Sequence, residues 1–115
     1  MGTRAAIAVA MMTAFQTTSA MAGYMDGNKL LDQCGNRSSG NYMSCIGYLM
    51  GLSDAIDMTQ DAGGARKQIC IPVGVTTGQL LDIVVDHLKK NPADRHREAA
   101  FQVWAAYRSA FPCRQ

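Results

Sequence analysis

The sequence predicts an all-α protein, a small four-helix bundle stapled by two disulfides. Three observations carry that prediction. Between residues 23 and 115 the apolar side chains recur at spacings of three and four, the period of a helix with one buried face. No run in that stretch alternates apolar and polar residues as a half-buried strand would. And four cysteines, Cys34, Cys45, Cys70 and Cys113, stand at the ends of the helical segments of a chain short enough to need cross-links.

Residues 1–22 are set apart first. Arg4 supplies a positive n-region, Ala5 to Phe15 form an apolar run of h-region length, and Ala20-Met21-Ala22 gives the small-x-small pattern read by signal peptidase. The run is too short to span a bilayer, and Gln16 to Ser19 break any amphipathic period. A cleavable signal peptide ending at Ala22 is therefore expected, leaving one exported domain, 23–115. Removing Arg4 lowers the formal charge from +2 to +1. That leaves no global field to attract nucleic acid or anionic lipid.

The first predicted helix is short, Asp26 to Cys34, with Leu30, Leu31 and Cys34 on one side. Gly35 to Gly40 is a polar, glycine-bounded loop. The second helix runs from about Tyr42 to Thr59, with Asn41 as N-cap. Cys45, Leu49, Leu52 and Ile56 form its stripe, widened by Ile46 and Met50. Gly47 and Gly51, one turn apart, each cost about 1 kcal/mol against alanine, which suggests a tight helix crossing in preference to the alternative, a cleft. Asp54 and Asp57 fall on the wet side.

Asp61 to Gln68 is the irregular connection, with Gly63-Gly64 in its middle. Thr76 and Gln79 then fit a capping box, the threonine bonding forward and the glutamine back, at the start of a third helix. Leu80, Leu81, Val84, Val85 and Leu88 are its apolar face, and Lys89-Lys90 suit its C-terminal dipole. Asn91-Pro92 ends this helix and begins a fourth, about Ala93 to Ala110. Its inward residues are Ala99, Ala100, Val103, Tyr107 and Ala110, with Phe101 or Trp104 at the margin.

Four cysteines allow three pairings. Short connections favour antiparallel neighbours. Cys34 and Cys45 then flank the first turn, while Cys70, just before helix three, meets Cys113, just after helix four. The expected bonds are Cys34–Cys45 and Cys70–Cys113. With every thiol paired, a cysteine nucleophile is excluded. Zinc is disfavoured as well, because no C-x-x-C occurs and His87 and His96 are nine residues apart.

Asp54 with Asp57, and Asp82 with Asp86, are one turn apart but belong to exposed faces, where carboxylates solvate. His96 is a surface residue. There is no G-x-S-x-G, no phosphate-binding glycine loop and no H-E-x-x-H. The expectation is a binding protein, neither an enzyme nor a cofactor carrier. Of eight methionines four lie in the leader. The other four are read as core filler, against the alternative of a small periplasmic helical chaperone or stress protein with an adaptable methionine surface.

The landmarks also have a specific order. They run Leu30-Leu31-x-x-Cys34, Cys45-Ile46-Gly47-Tyr48-Leu49-Met50-Gly51-Leu52-x-Asp54, and Cys70-Ile71-Pro72-x-Gly74-Val75-Thr76-x-Gly78-Gln79-Leu80. Val84-Val85-x-x-Leu88-x-x-x-Pro92, His96-x-x-Ala99-Ala100 and Ala110-Phe111-Pro112-Cys113 follow. This series resembles the Rap/Tai family of immunity proteins, which protect bacteria from peptidoglycan amidases delivered by type VI secretion.

The resemblance implies a periplasmic, disulfide-bonded, commonly dimeric helical protein that binds a cognate papain-like amidase and blocks its active site. The shared motif residues are scaffold. In the family, partner contacts come from a helix face and a protruding loop. Carried over, these are the Asp57 to Lys67 connection and the Asp86 to Arg97 region. The candidate contact residues are Asp57, Gln60, Asp61, Arg66, Lys67, Asp86, Lys89, Lys90 and Asp94.

Overall fold

Asp26, expected as the first residue of helix one, stands just outside it as the N-cap, its carboxylate accepting from the Lys29 backbone N–H at 2.8 Å. In the computed structural model, which describes Gly2 and residues 23–114, the order is α1 (Gly27–Cys34), α2 (Tyr42–Ala62), α3 (Thr77–Lys90) and α4 (Ala99–Ala110). A 3-10 turn, Pro92–Asp94, sits between the last two. No strand occurs among the described residues; two isolated antiparallel bridges, Asp26 with Glu98 and Ile69 with Pro112, tie chain ends together. The expected leader, 1–22, lies outside the described residues apart from Gly2.

Each helix contributes one stripe to a single core. Leu30, Leu49, Val84, Leu88, Val103 and Tyr107 are fully buried in it. The capping box of α3 forms as the spacing requires: Gln79 N–H donates to Thr76 Oγ1 at 3.2 Å, and Thr76 N–H to Gln79 Oε1 at 2.7 Å. Gly74, at φ +94°, turns the chain into that cap.

Both disulfides form as the topology predicts. Cys34 and Cys45 join α1 to α2 across the first turn and are buried. Cys70 and Cys113 join the segment before α3 to the segment after α4. Beside this second bond, Cys70 N–H donates to Phe111 O at 2.9 Å and Cys113 N–H to Gln68 O at 3.4 Å, so the two outer ends run antiparallel.

Five more local expectations are corrected. Asn41 makes no side-chain cap; its backbone is already helical. The second helix continues to Ala62, with Gly63 as C-cap and Gly64 at φ +63° completing the turn. The fourth helix starts at Ala99, because residues 95–99 pair with the entrance of α1 instead of coiling. Gly27 N–H donates to Arg97 O, Asn28 N–H to Arg95 O and Ala99 N–H to Met25 O, all at 2.9 to 3.0 Å. Ala110 is exposed at the end of α4, beyond the buried stripe. Lastly, Gly47 and Gly51 make no crossing: both are exposed, and an added Cβ at either meets nothing within 4 Å.

Gly27 is the glycine that a close approach does require. A Cβ there would stand 2.9 Å from Arg95 O and 3.0 Å from a Leu88 methyl. Overpacking costs about 1–3 kcal/mol, and the helix propensity gained is about 1 kcal/mol at most. Gly27→Ala is therefore expected to lower the thermal midpoint by several degrees, measured by circular dichroism. An unchanged or raised midpoint would mean that the α1 entrance yields freely.

Candidate functional site

The outward side of α4 carries two aromatic residues and an arginine. Ala99, Val103, Ala106 and Tyr107 face the core, so Phe101, Trp104 and Arg108, at spacings of three and four, fall on the other side. Phe101 is 65% exposed and Trp104 half-buried. The Arg108 guanidinium lies over the Trp104 ring, 5.0 Å from its centroid, which fixes the indole and leaves a cation at its edge.

Four adjoining depressions follow this face. The largest, about 610 Å³, runs from Asp94, His96 and Arg97 past Phe101 to Trp104. An apolar one is walled by Leu52 and Ile56 of α2 together with Phe101 and Trp104. The next lies between Trp104, Gln60 and Arg66, and the last gathers Arg66, Lys67 and Arg108 beside the Cys70–Cys113 bond. Trp104 lines the first three. Parts of the two regions separated in sequence, residues 60–67 and 94–97, thus meet along one groove with Trp104 between them.

The ends of the groove are held by side chains bonded to backbone. Gln60 Oε1 accepts from the N–H groups of Gln68 and Ile69, each at 2.9 Å, while its Nε2 donates to Ile69 O at 3.0 Å. This amide takes the place of a strand partner and shapes the 63–69 loop. At the other end Gln102, buried, donates from Nε2 to Asp94 O at 2.9 Å and presents Oε1 to His87 Nε2 at 3.2 Å. His87 Nε2 therefore carries the hydrogen. Asn91 Nδ2 donates to His87 O at 2.8 Å, closing the network around the 3-10 turn.

The nine contact candidates separate in space. Asp94 and Arg66 line the groove, as does Gln60, whose side-chain polar atoms are committed to the loop. Lys67 reaches its basic end and pairs with Asp61; the hydrogen bond and charge of Asp61, with Asp57 adding to them, raise the Lys67 pKa above its ordinary value. Asp57 is exposed on the last turns of α2. Asp86 and Lys90 form an ion pair at 2.7 Å in a different cleft, between α3 and the C-terminal half of α4. Lys89 is exposed on the last turn of α3, outside the groove.

Phe101, Trp104 and Arg108 were absent from the candidates, although their i, i+3, i+7 spacing on the polar side of an inward stripe is visible in the sequence. Three of the four methionines read as core filler also prove exposed: Met43, Met50 and Met58.

An aromatic groove with charged ends suits an inserted segment of another protein. All four cysteines are in disulfides. Among the described residues, no cluster of three or more His, Cys, Asp or Glu could hold a metal ion. A family model described as Rap1a immunity proteins matches residues 26–113, nearly all of the described chain. No curated protein and no solved structure matches.

Proposed function

Since the chain belongs to the Rap1a immunity protein family, and so serves to bind an effector protein, we propose that it protects its cell in the periplasm. The effector is a peptidoglycan amidase of a type VI secretion system, and binding inhibits it. Residues 1–22 direct export and are removed after Ala22. The contact surface is the α4 groove, and the observation that supports this is Trp104, shared between the depressions that bring residues 60–67 and 94–97 together. A half-buried indole held by Arg108 is already ordered, so docking on it costs little side-chain entropy.

Trp104→Ala is expected to weaken binding of a cognate amidase about 30- to 1,000-fold, as loss of a central aromatic contact does. Lys89→Ala, outside the groove, should change it less than about threefold. Isothermal titration calorimetry on the purified pair measures both. Protection is tested by expressing candidate amidases in the periplasm with and without this protein. Lysis unaffected across a panel of amidases would overturn the reading, and capture of many unfolded clients would favour the chaperone alternative.

A further inference from the structure

The two disulfides differ in what surrounds them. Cys34 and Cys45 are 1% and 0% exposed, inside the core. Cys70 is exposed and Cys113 half-buried, at the surface. Arg66, Lys67 and Arg108 line the depression that Cys113 shares, and Arg114 follows it in sequence. Against these four cations stands Asp61, the partner of Lys67, with Asp57 acting on the same lysine. The negative end of α4, three residues before Cys113, offsets part of the remaining charge and accounts for Arg108. It does not account for Arg66 and Lys67, which arrive on a separate loop.

We infer that the Cys70–Cys113 bond is a thiol-exchange site for a small anionic thiol of the glutathione class, which adds to Cys70 and releases Cys113. The attacking thiolate forms a sulfur–sulfur bond to Cys70 Sγ. The electron pair of the broken bond leaves on Cys113 Sγ. The products are one mixed disulfide and one thiolate, so the step consumes no further oxidant or reductant.

The direction follows from the surroundings. Attack runs along the S–S axis, which favours the residue that solvent reaches more, Cys70. Exchange is faster when the departing sulfur carries negative charge well, and the cations lie beside Cys113. The same field concentrates thiols of negative net charge and turns away positive ones.

The helices do not depend on this bond for their alignment. Cys70 N–H still donates to Phe111 O and Cys113 N–H to Gln68 O, Ile69 is 3% exposed, and Gln60 keeps its hold on Gln68 and Ile69. What exchange releases is the covalent tie between the 63–69 loop and the segment after α4, at the basic end of the groove. The bearing of that release on effector binding rests on the proposed function; the exchange itself does not.

The test therefore needs the purified, oxidised protein and no amidase. It is treated briefly with glutathione, quenched with N-ethylmaleimide and peptide-mapped under acid. Glutathione should be found on Cys70 and maleimide on Cys113. Cleavage of Cys34–Cys45 should be at least about 30-fold slower, because it must await opening of the core. At equal thiolate concentration in low salt, glutathione should react at least about fivefold faster than cysteamine, a cationic thiol, and added salt should narrow the gap. Lys67→Glu should slow glutathione and speed cysteamine.

Equal cleavage of the two disulfides overturns the inference. So does glutathione found on Cys113, or cysteamine reacting as fast as glutathione in low salt. If Lys67→Glu does not fold, the salt dependence of the unaltered protein decides alone.

Discussion

Replacing Cys70 and Cys113 together by alanine is expected to lower the unfolding free energy by about 4 kcal/mol in the chain-entropy account, since the bond closes a loop of 43 residues. A small domain has about 5–15 kcal/mol in all. The variant should fold at room temperature with little margin, because the backbone bonds between Cys70 and Phe111 and between Cys113 and Gln68 still align the two ends. Urea unfolding measures the loss. The same experiment should show a larger dependence on urea concentration, since an unfolded chain without the cross-link exposes more surface. Unchanged stability would mean that the antiparallel bridge holds the ends without the sulfur bond.

Tyr107→Ala is the second change expected to approach that size. Tyr107 is the largest fully buried side chain and packs from α4 toward Ser53 of α2. Truncating a buried ring costs about 3–5 kcal/mol. Tyr107→Phe keeps the ring and gives up only a long bond, 3.4 Å from Ser53 Oγ, so less than about 1 kcal/mol should be lost.

The same residue sets an alkaline limit. Burial raises the Tyr107 pKa, and the Ser53 hydrogen bond opposes it in part; burial followed by the charge of Glu98 raises that of Tyr48. In the unfolded chain both phenols ionise near pH 10. The native state then holds more protons, so the stabilisation is complete below about pH 10 and falls as pH rises toward the native values. Urea midpoints followed with phenolate absorbance should show this decline, and Tyr107→Phe should flatten it.

The scaffold was legible because its signals are local. Leu80 to Leu88 repeats at helical spacing, Thr76 and Gln79 are three apart, and the cysteines fall where short turns bring helix ends together. The late start of α4 was not legible. Nothing in Ala93 to Glu98 opposes a helix; the backbone of 95–99 is withdrawn by pairing with α1, more than 60 positions earlier in the chain.

The groove was half legible. Charges drew attention to both of its ends, yet its centre is aromatic and was assigned to the edge of the core. Phe101 and Trp104 have the composition of interior residues, and only the packing of Val103 and Tyr107 decides which side they take. Met43, Met50 and Met58 were misplaced for the same reason. An exposed methionine and a buried one look alike in a helix that is apolar on most sides.

The cysteines pair consecutively, the first with the second and the third with the fourth. For a polypeptide threaded through a translocation pore N-terminus first, as the proposed export requires, that order has a kinetic result. Cys34 emerges and meets Cys45 before Cys70 has crossed, so the first oxidation has only one thiol pair to act on. When Cys113 follows, Cys70 is the sole thiol left. Neither the crossed nor the nested alternative pairing is offered to an oxidant that acts as each pair emerges, and maturation is then expected to need a thiol oxidant but no disulfide isomerase.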